Sequence, residues 1–232
     1  MRPAADAALP LTAAAVLVEA AVETLHGALA AQRGGANRIE LCANLSEGGT
    51  TPNEGLIATV TERTHLPVFV LIRQRTGGFV YSDNEIDAMS RDIETAKSMG
   101  IAGIVTGALT ADALVDVEHT RALLNAAGEL PLTFHRAFDF AVNLPQALEQ
   151  LIDLGVARVL TSGGRDTALG GADTIAALVD QARDRIAVMA GGGIRENNVR
   201  EVISRTGVRE VHTRLVDEAR IRALVDVATR TP

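Results

Sequence analysis

Eight short runs rich in Val, Ile and Leu alternate with helix-like stretches along this chain. Apolar strands separated by helices pair in parallel and are joined by right-handed crossovers. Eight such units favour a single TIM-type (β/α)8 barrel with parallel strands, an α/β fold that fits 232 residues as one domain. An open doubly wound sheet is the alternative, because periodicity does not report closure. Against it, no GxGxxG follows the first strand and the chain has no P-loop lysine. The expected division is a loose N-terminal tail at 1–13 and a barrel domain at 14–232.

A strand that only fills a core stays apolar to its end. Here the strand-like runs close on VEAAV, RIELCA, LIRQR, VTGAL, TFHRAFD, VLTSGG, MAGGGI and EVHTR. Glu19, Glu40, Arg73, Thr106, His135, Asp139, Thr161, Ser162 and His212 interrupt them. The same exception at equivalent places points to a site. In a closed barrel all these ends meet at one mouth, where the chemistry of such folds sits.

Three clusters carry candidate chemistry. In TFHRAFD, read as a strand over Leu132–Phe138, alternation puts Thr133, His135, Ala137 and Asp139 on one face. His135 is then a candidate acid or base near neutral pH, and Asp139 a group that orients a ligand or binds a cation. Arg136 falls on the other face with Phe134 and Phe138, as a structural partner for a helix carboxylate. In RIELCA, Arg38, Glu40 and Cys42 share a face. A buried Glu40 needs a cationic or hydrogen-bonding partner, and Arg73 of the next strand is the expected one. Glu19 flanks Glu40, and paired carboxylates can split their pKa values for acid/base work. A salt-bridge layer inside the barrel is the equal alternative. His212 approaches Glu19 if the last strand closes on the first. The third cluster is glycine-rich. Gly191, Gly192 and Gly193 follow the seventh strand, and Ser162, Gly163 and Gly164 follow the sixth. Unhindered amides before a helix suit a phosphate or carboxylate, unless they are simply tight turns. The loop QRTGGFVYSDN is long enough to cover the mouth, with Tyr81 closing over it or stapling the next helix. His26, His65 and His119 read as surface residues.

Composition removes several classes. A formal net charge of −7 and 3% aromatic residues argue against a nucleic-acid surface. No apolar run approaches a membrane-spanning length. Asp6 and Pro10 interrupt the Ala-rich start, which reads as tail and first strand rather than as a signal peptide, so a cytoplasmic location is expected. Cys42 is the sole cysteine, which excludes an intrachain disulfide and a CxxC clip. Lys97, the sole lysine, falls within a helix, so Schiff-base aldol chemistry has no nucleophile at the mouth.

The segments GANRIELCANLSEGGTTPNEGL, IRQRTGGFVYSDNEI, GIVTGAL, LTFHRAFD, GVARVLTSGG, IAVMAGGGIRENN and EVH together resemble the CutC family of copper-homeostasis proteins. They cover nearly the whole chain after the tail. The resemblance implies a cytoplasmic TIM-type barrel, a homodimer or larger oligomer, and copper binding, with copper the cofactor or cargo. Family members often carry cysteines in the first strand, where this chain has Ala20 and Ala21. A thiolate cage for Cu(I) cannot be assembled from one cysteine. A metal would draw on Cys42, His135 and His212, with Glu19 and Glu40 beside them. Two function classes follow. One is copper binding and copper homeostasis. The other is an enzyme acting on a small anionic or phosphorylated metabolite, with Glu40, His135 and His212 moving protons and Arg73 holding a carboxylate or phosphate. A scaffold with a vestigial mouth is the blandest reading.

Overall fold

A computed structural model of the chain describes residues 16–230. The tail expected at 1–13 lies outside the described residues. Eight strands alternate with eight helices. The strands are β1 (Leu17–Val22), β2 (Arg38–Leu41), β3 (Val68–Leu71), β4 (Gly103–Thr106), β5 (Leu132–Phe134), β6 (Arg158–Thr161), β7 (Ala187–Ala190) and β8 (Glu210–Thr213). The helices are α1 (Leu25–Arg33), α2 (Glu54–Arg63), α3 (Asp83–Ser98), α4 (Val117–Ala127), α5 (Leu144–Leu154), α6 (Ala172–Ala182), α7 (Val199–Thr206) and α8 (Glu218–Thr229). All pairs are parallel and β1 closes on β8, so the sheet is a barrel and not an open doubly wound layer.

Local chemistry places the helix ends. Ser82 and Glu85 form a reciprocal capping box at the start of α3, and Asn143 caps α5 through the Gln146 amide. At α2 the proline expected at the helix start lies just outside it. Asn53 caps the helix through the Leu56 amide. Gly155 ends α5 in the left-handed conformation, as a C-terminal glycine does.

Alternation along the strands separates two interiors. Ile39, Leu41, Val70, Ile104, Phe134 and Val159 join the large core between sheet and helices. Cys42, Phe69, Leu71 and Val105 form a second cluster on the opposite strand face, inside the barrel. Below the mouth the barrel is closed by charge. Arg38 pairs with Glu19 and Glu210, Arg158 pairs with Glu210, and both guanidinium groups stack over Phe69 at 4.9 and 5.6 Å from its centroid. The salt-bridge layer anticipated from the sequence therefore exists, but it takes Glu19 and leaves Glu40 above it.

β5 is shorter than expected. It stops at Phe134, and residues Arg136–Phe140 form a 3-10 turn capped by His135, whose Nδ1 accepts from the Ala137 amide at 3.2 Å. The face shared by His135 and Asp139 thus does not exist, because strand alternation ends before it reaches Asp139. Tyr81 is buried in the helix-facing core, which supports the stapling reading over closure of the mouth. No helix among the described residues is long and apolar enough to cross a membrane.

Candidate functional site

The register of β1, β2 and β8 brings the first group together. Glu19 is level with Arg38 on one side and His212 on the other, and Ala21 is level with Glu40. Glu19 is fully buried and lies midway along β1, one layer below the mouth. Burial alone would raise its carboxyl. The hydrogen bond with His212 and the charges of Arg38 and His212 more than offset this and hold it at about 2. An ionised Glu19 accepts, so His212 Nδ1 donates to Glu19 Oε1 at 2.9 Å. That bond aims Nε2 at Glu40, whose Oε2 lies 3.6 Å away. Burial pushes the Glu40 carboxyl up, opposed in part by His212.

Arg73 does not pair with Glu40. Its guanidinium donates to the carbonyl of Gly49 at 2.8 Å and to that of Gly77 at 2.6 Å, and it lies over the Phe79 ring. The two loops bind it as a bracket, so the expected ion pair is replaced by backbone carbonyls. Its Nε keeps no protein partner.

His135 stands across the mouth. Only 7% of it is exposed, and burial together with the charge of Arg73 pulls its pKa down to about 3. The ring is therefore neutral. With Nδ1 accepting from Ala137, the proton resides on Nε2, a buried donor with no protein partner. Gly107, just past β4, makes room for it, since a Cβ there would lie 2.7 Å from His135 Nδ1. The ring packs against Phe79 at 5.1 Å between centroids.

Asp139 turns away to the β6 end. Its carboxylate accepts from Arg136 Nε, Thr161 Oγ1, Ser162 Oγ and the amides of Ser162 and Gly164. The Gly163 amide goes to Thr161 Oγ1. The amides expected to cradle an external anion after β6 are thus already occupied by the protein's own carboxylate and hydroxyl. The turn after β7 differs. The Gly191 amide bonds to the Thr161 carbonyl, and the carbonyls of Gly192 and Gly193 accept from the Ala168 amide and Asn198 Nδ2. The amides of Gly192 and Gly193 donate to no protein group among the described residues. Gly192 has φ of 101°, a conformation that side-chain-bearing residues avoid.

Glu40, Cys42, Arg73, His135, Gly192, Gly193 and His212 all line one cavity of about 280 Å³ at the mouth. Glu19, Asp139, Ser162, Gly163 and Gly191 stand behind its wall rather than on it. Sequence reasoning gave no role there to Arg195, Arg214 or Phe79 and read Arg136 as structural, yet all four line the cavity. Arg195 directly follows MAGGGI and Arg214 closes EVHTR, so charge at those positions was the available signal. Glu19, Glu40 and His212 also offer ligand atoms that all lie within 4.8 Å of one another. Burial and the adjacent Glu40 and Glu19 push the Cys42 thiol well above its ordinary pKa, so it is not a thiolate near neutral pH.

The CutC family profile matches residues 16–216, which includes every strand of the barrel. The chain belongs to the CutC family. It is 48% identical over 196 residues to the human copper homeostasis protein cutC homolog, covering 84% of this chain and 72% of the human one. A CutC family protein of Xylella fastidiosa is 50% identical over 195 residues, covering 84% of this chain and 73% of its own. A crystal structure of CutC from Streptococcus agalactiae superposes with a TM-score of 0.82 at 36% identity, covering 85% of this chain and 97% of that one. Phosphoribosylanthranilate isomerase from Thermotoga maritima shares the barrel fold, with a TM-score of 0.60 at 14% identity over 92% of this chain and 98% of that one. The family thus carries a copper-homeostasis name, while the mouth of this CutC chain offers mostly oxygen and nitrogen donors and arginine.

Proposed function

We propose that the barrel mouth binds a small anionic, phosphorylated metabolite and transfers a proton on it by acid/base catalysis. One observation carries the reading. A neutral His135, its Nε2–H buried and unpartnered, faces a cavity also lined by Arg73, Arg136, Arg195 and Arg214. Buried donors without partners are rare in folded proteins, and a ligand acceptor would satisfy this one. The arginines supply the charge that an anion requires. Glu40, whose carboxyl burial pushes up, is the group that takes or gives the proton. His212, oriented by Glu19, sits beside it as a positioning and relay residue. The cavity falls at the small end of ligand pockets, which begin at about 300 Å³.

The test is a calorimetric and thermal-shift screen of phosphorylated metabolites and inorganic phosphate. A ligand present at 100 times its Kd should add about 2.7 kcal/mol to stability and raise Tm. Arg195→Gln should lose most of that gain. A screen in which no phosphorylated compound shifts Tm overturns the reading.

A copper ion as cargo is the second reading, supported by the Glu19–Glu40–His212 group and by the family name. Its donors are two carboxylates and an imidazole, a set that suits Cu(II) and other divalent ions and not Cu(I). Glu19 is moreover already committed to Arg38 and His212. Titration followed by elemental analysis should then show one Cu(II) per chain, lost in Glu40→Gln. Retention of no copper after dialysis excludes it.

The proposal includes a cytoplasmic homodimer. The dimer is supported by Val80, Leu114, Phe140 and Val142, exposed apolar residues on loops that touch one another beside the mouth.

A further inference from the structure

The cavity wall has two chemically different halves. On the β7 side the amides of Gly192 and Gly193 are free, and the guanidinium groups of Arg136 and Arg195 line the same wall. Each free amide comes from a turn whose carbonyls are fixed by Ala168 and Asn198, so the donors are held in place before any ligand arrives. The neighbouring β6 turn cannot contribute. Asp139 fills it with an internal carboxylate, and that occupant shows what the adjacent geometry accepts: an oxyanion held by amides, a hydroxyl and Arg136. On the β5 side stands a neutral donor, His135 Nε2–H, more than nine-tenths buried, set against Phe79 and near Arg73. A neutral imidazole is a weaker partner for a full charge than a guanidinium. It is a good partner for an uncharged acceptor whose oxygen gains charge during reaction, such as a carbonyl.

Resting on the anion reading above, we infer that the substrate is a phosphorylated carbonyl compound, its phosphate on the Gly192–Gly193 turn with Arg136 and Arg195, and its carbonyl oxygen accepting from His135 Nε2–H. Glu40 lines the same cavity beside His212 and is the group that would move the proton of the carbon next to that carbonyl. The reaction class is then proton transfer at that carbon.

Two matched pairs test this: glycerone phosphate against glycerol 3-phosphate, and ribulose 5-phosphate against ribitol 5-phosphate. Within each pair only the carbonyl is replaced by an alcohol. Calorimetry with the whole chain should show the carbonyl compound of at least one pair binding about tenfold tighter, the worth of one well-placed hydrogen bond. His135→Ala should abolish that preference and keep the alcohol's affinity within about threefold. Arg195→Gln should weaken both members about equally. His135→Phe, which fills the space without a donor, gives a second variant if His135→Ala does not fold. If all the phosphates bind without preference for the carbonyl, or if the preference survives in both His135 variants, this inference falls and the anion reading stands. If neither inorganic phosphate nor any of the four compounds binds, both fall.

Discussion

At the level of single residues, His135 and Glu19 show how surroundings set charge. His135 is neutral because burial and Arg73 both oppose its protonation. Its folded pKa of about 3 lies below the ordinary 6.5, so the unfolded chain takes up a proton that the folded chain refuses. Stability therefore falls as pH drops from 6.5 toward 3, by up to about 1.4 kcal/mol per pH unit from this residue. Urea unfolding of the wild type and His135→Gln between pH 4 and 7 checks this. The variant should show a shallower decline, and parallel curves would contradict the neutral ring. Glu19 titrates with the opposite logic of partnership. Held at about 2, it contributes stability above pH 4.5 that is lost as pH falls through 2. The polar residue types at strand ends were legible in the sequence. Their partners were not, because Arg73 bonds carbonyls of two loops that no spacing rule connects to it.

At the level of elements, the turn after β5 decides more than the strand itself. Leaving the sheet at Phe134 lets the chain wind a 3-10 turn that points Asp139 at β6 and brings Arg136 to the cavity. Alternation predicts neither, since it holds only while the backbone stays extended. Asp139 then ties β5 to the β6–α6 connection through Thr161, Ser162 and Gly164. Asp139→Ala leaves those donors unmatched and should cost about 3 kcal/mol in urea unfolding, since hydrogen bonds to charged groups are worth about 1.5–3 kcal/mol each and do not add. A loss below about 1 kcal/mol would mean that the turn is held by other contacts. Helix boundaries were far more legible. Ser82, Asn143 and the terminal glycines act through the nearest three or four residues, and the sequence shows those directly.

For the molecule as a whole, closure of β8 on β1 creates both the buried ion layer and the mouth above it. The layer of Glu19, Arg38, Glu210 and Arg158 is structural, and Arg38→Met should cost about 3–5 kcal/mol by leaving the fully buried Glu19 without its guanidinium partner, measured by denaturant unfolding. A near-neutral result would show that water reaches the layer. The exposed apolar loops make a prediction of their own. Phe140→Asp should convert a dimer to monomer in sedimentation with Tm changed by only a few degrees, and a wild type that already sediments as a monomer removes the dimer proposal. Alternation of strand and helix, the count of eight units, the capping residues and the polar strand ends were set by the sequence alone, because each is a short-range property of backbone and side chain. The tertiary structure alone decided which of those ends share a cavity, which carboxylate is spent on an arginine and which amides stay free. Those are consequences of barrel register and of where each strand stops, contacts between residues up to 193 positions apart that no local pattern encodes.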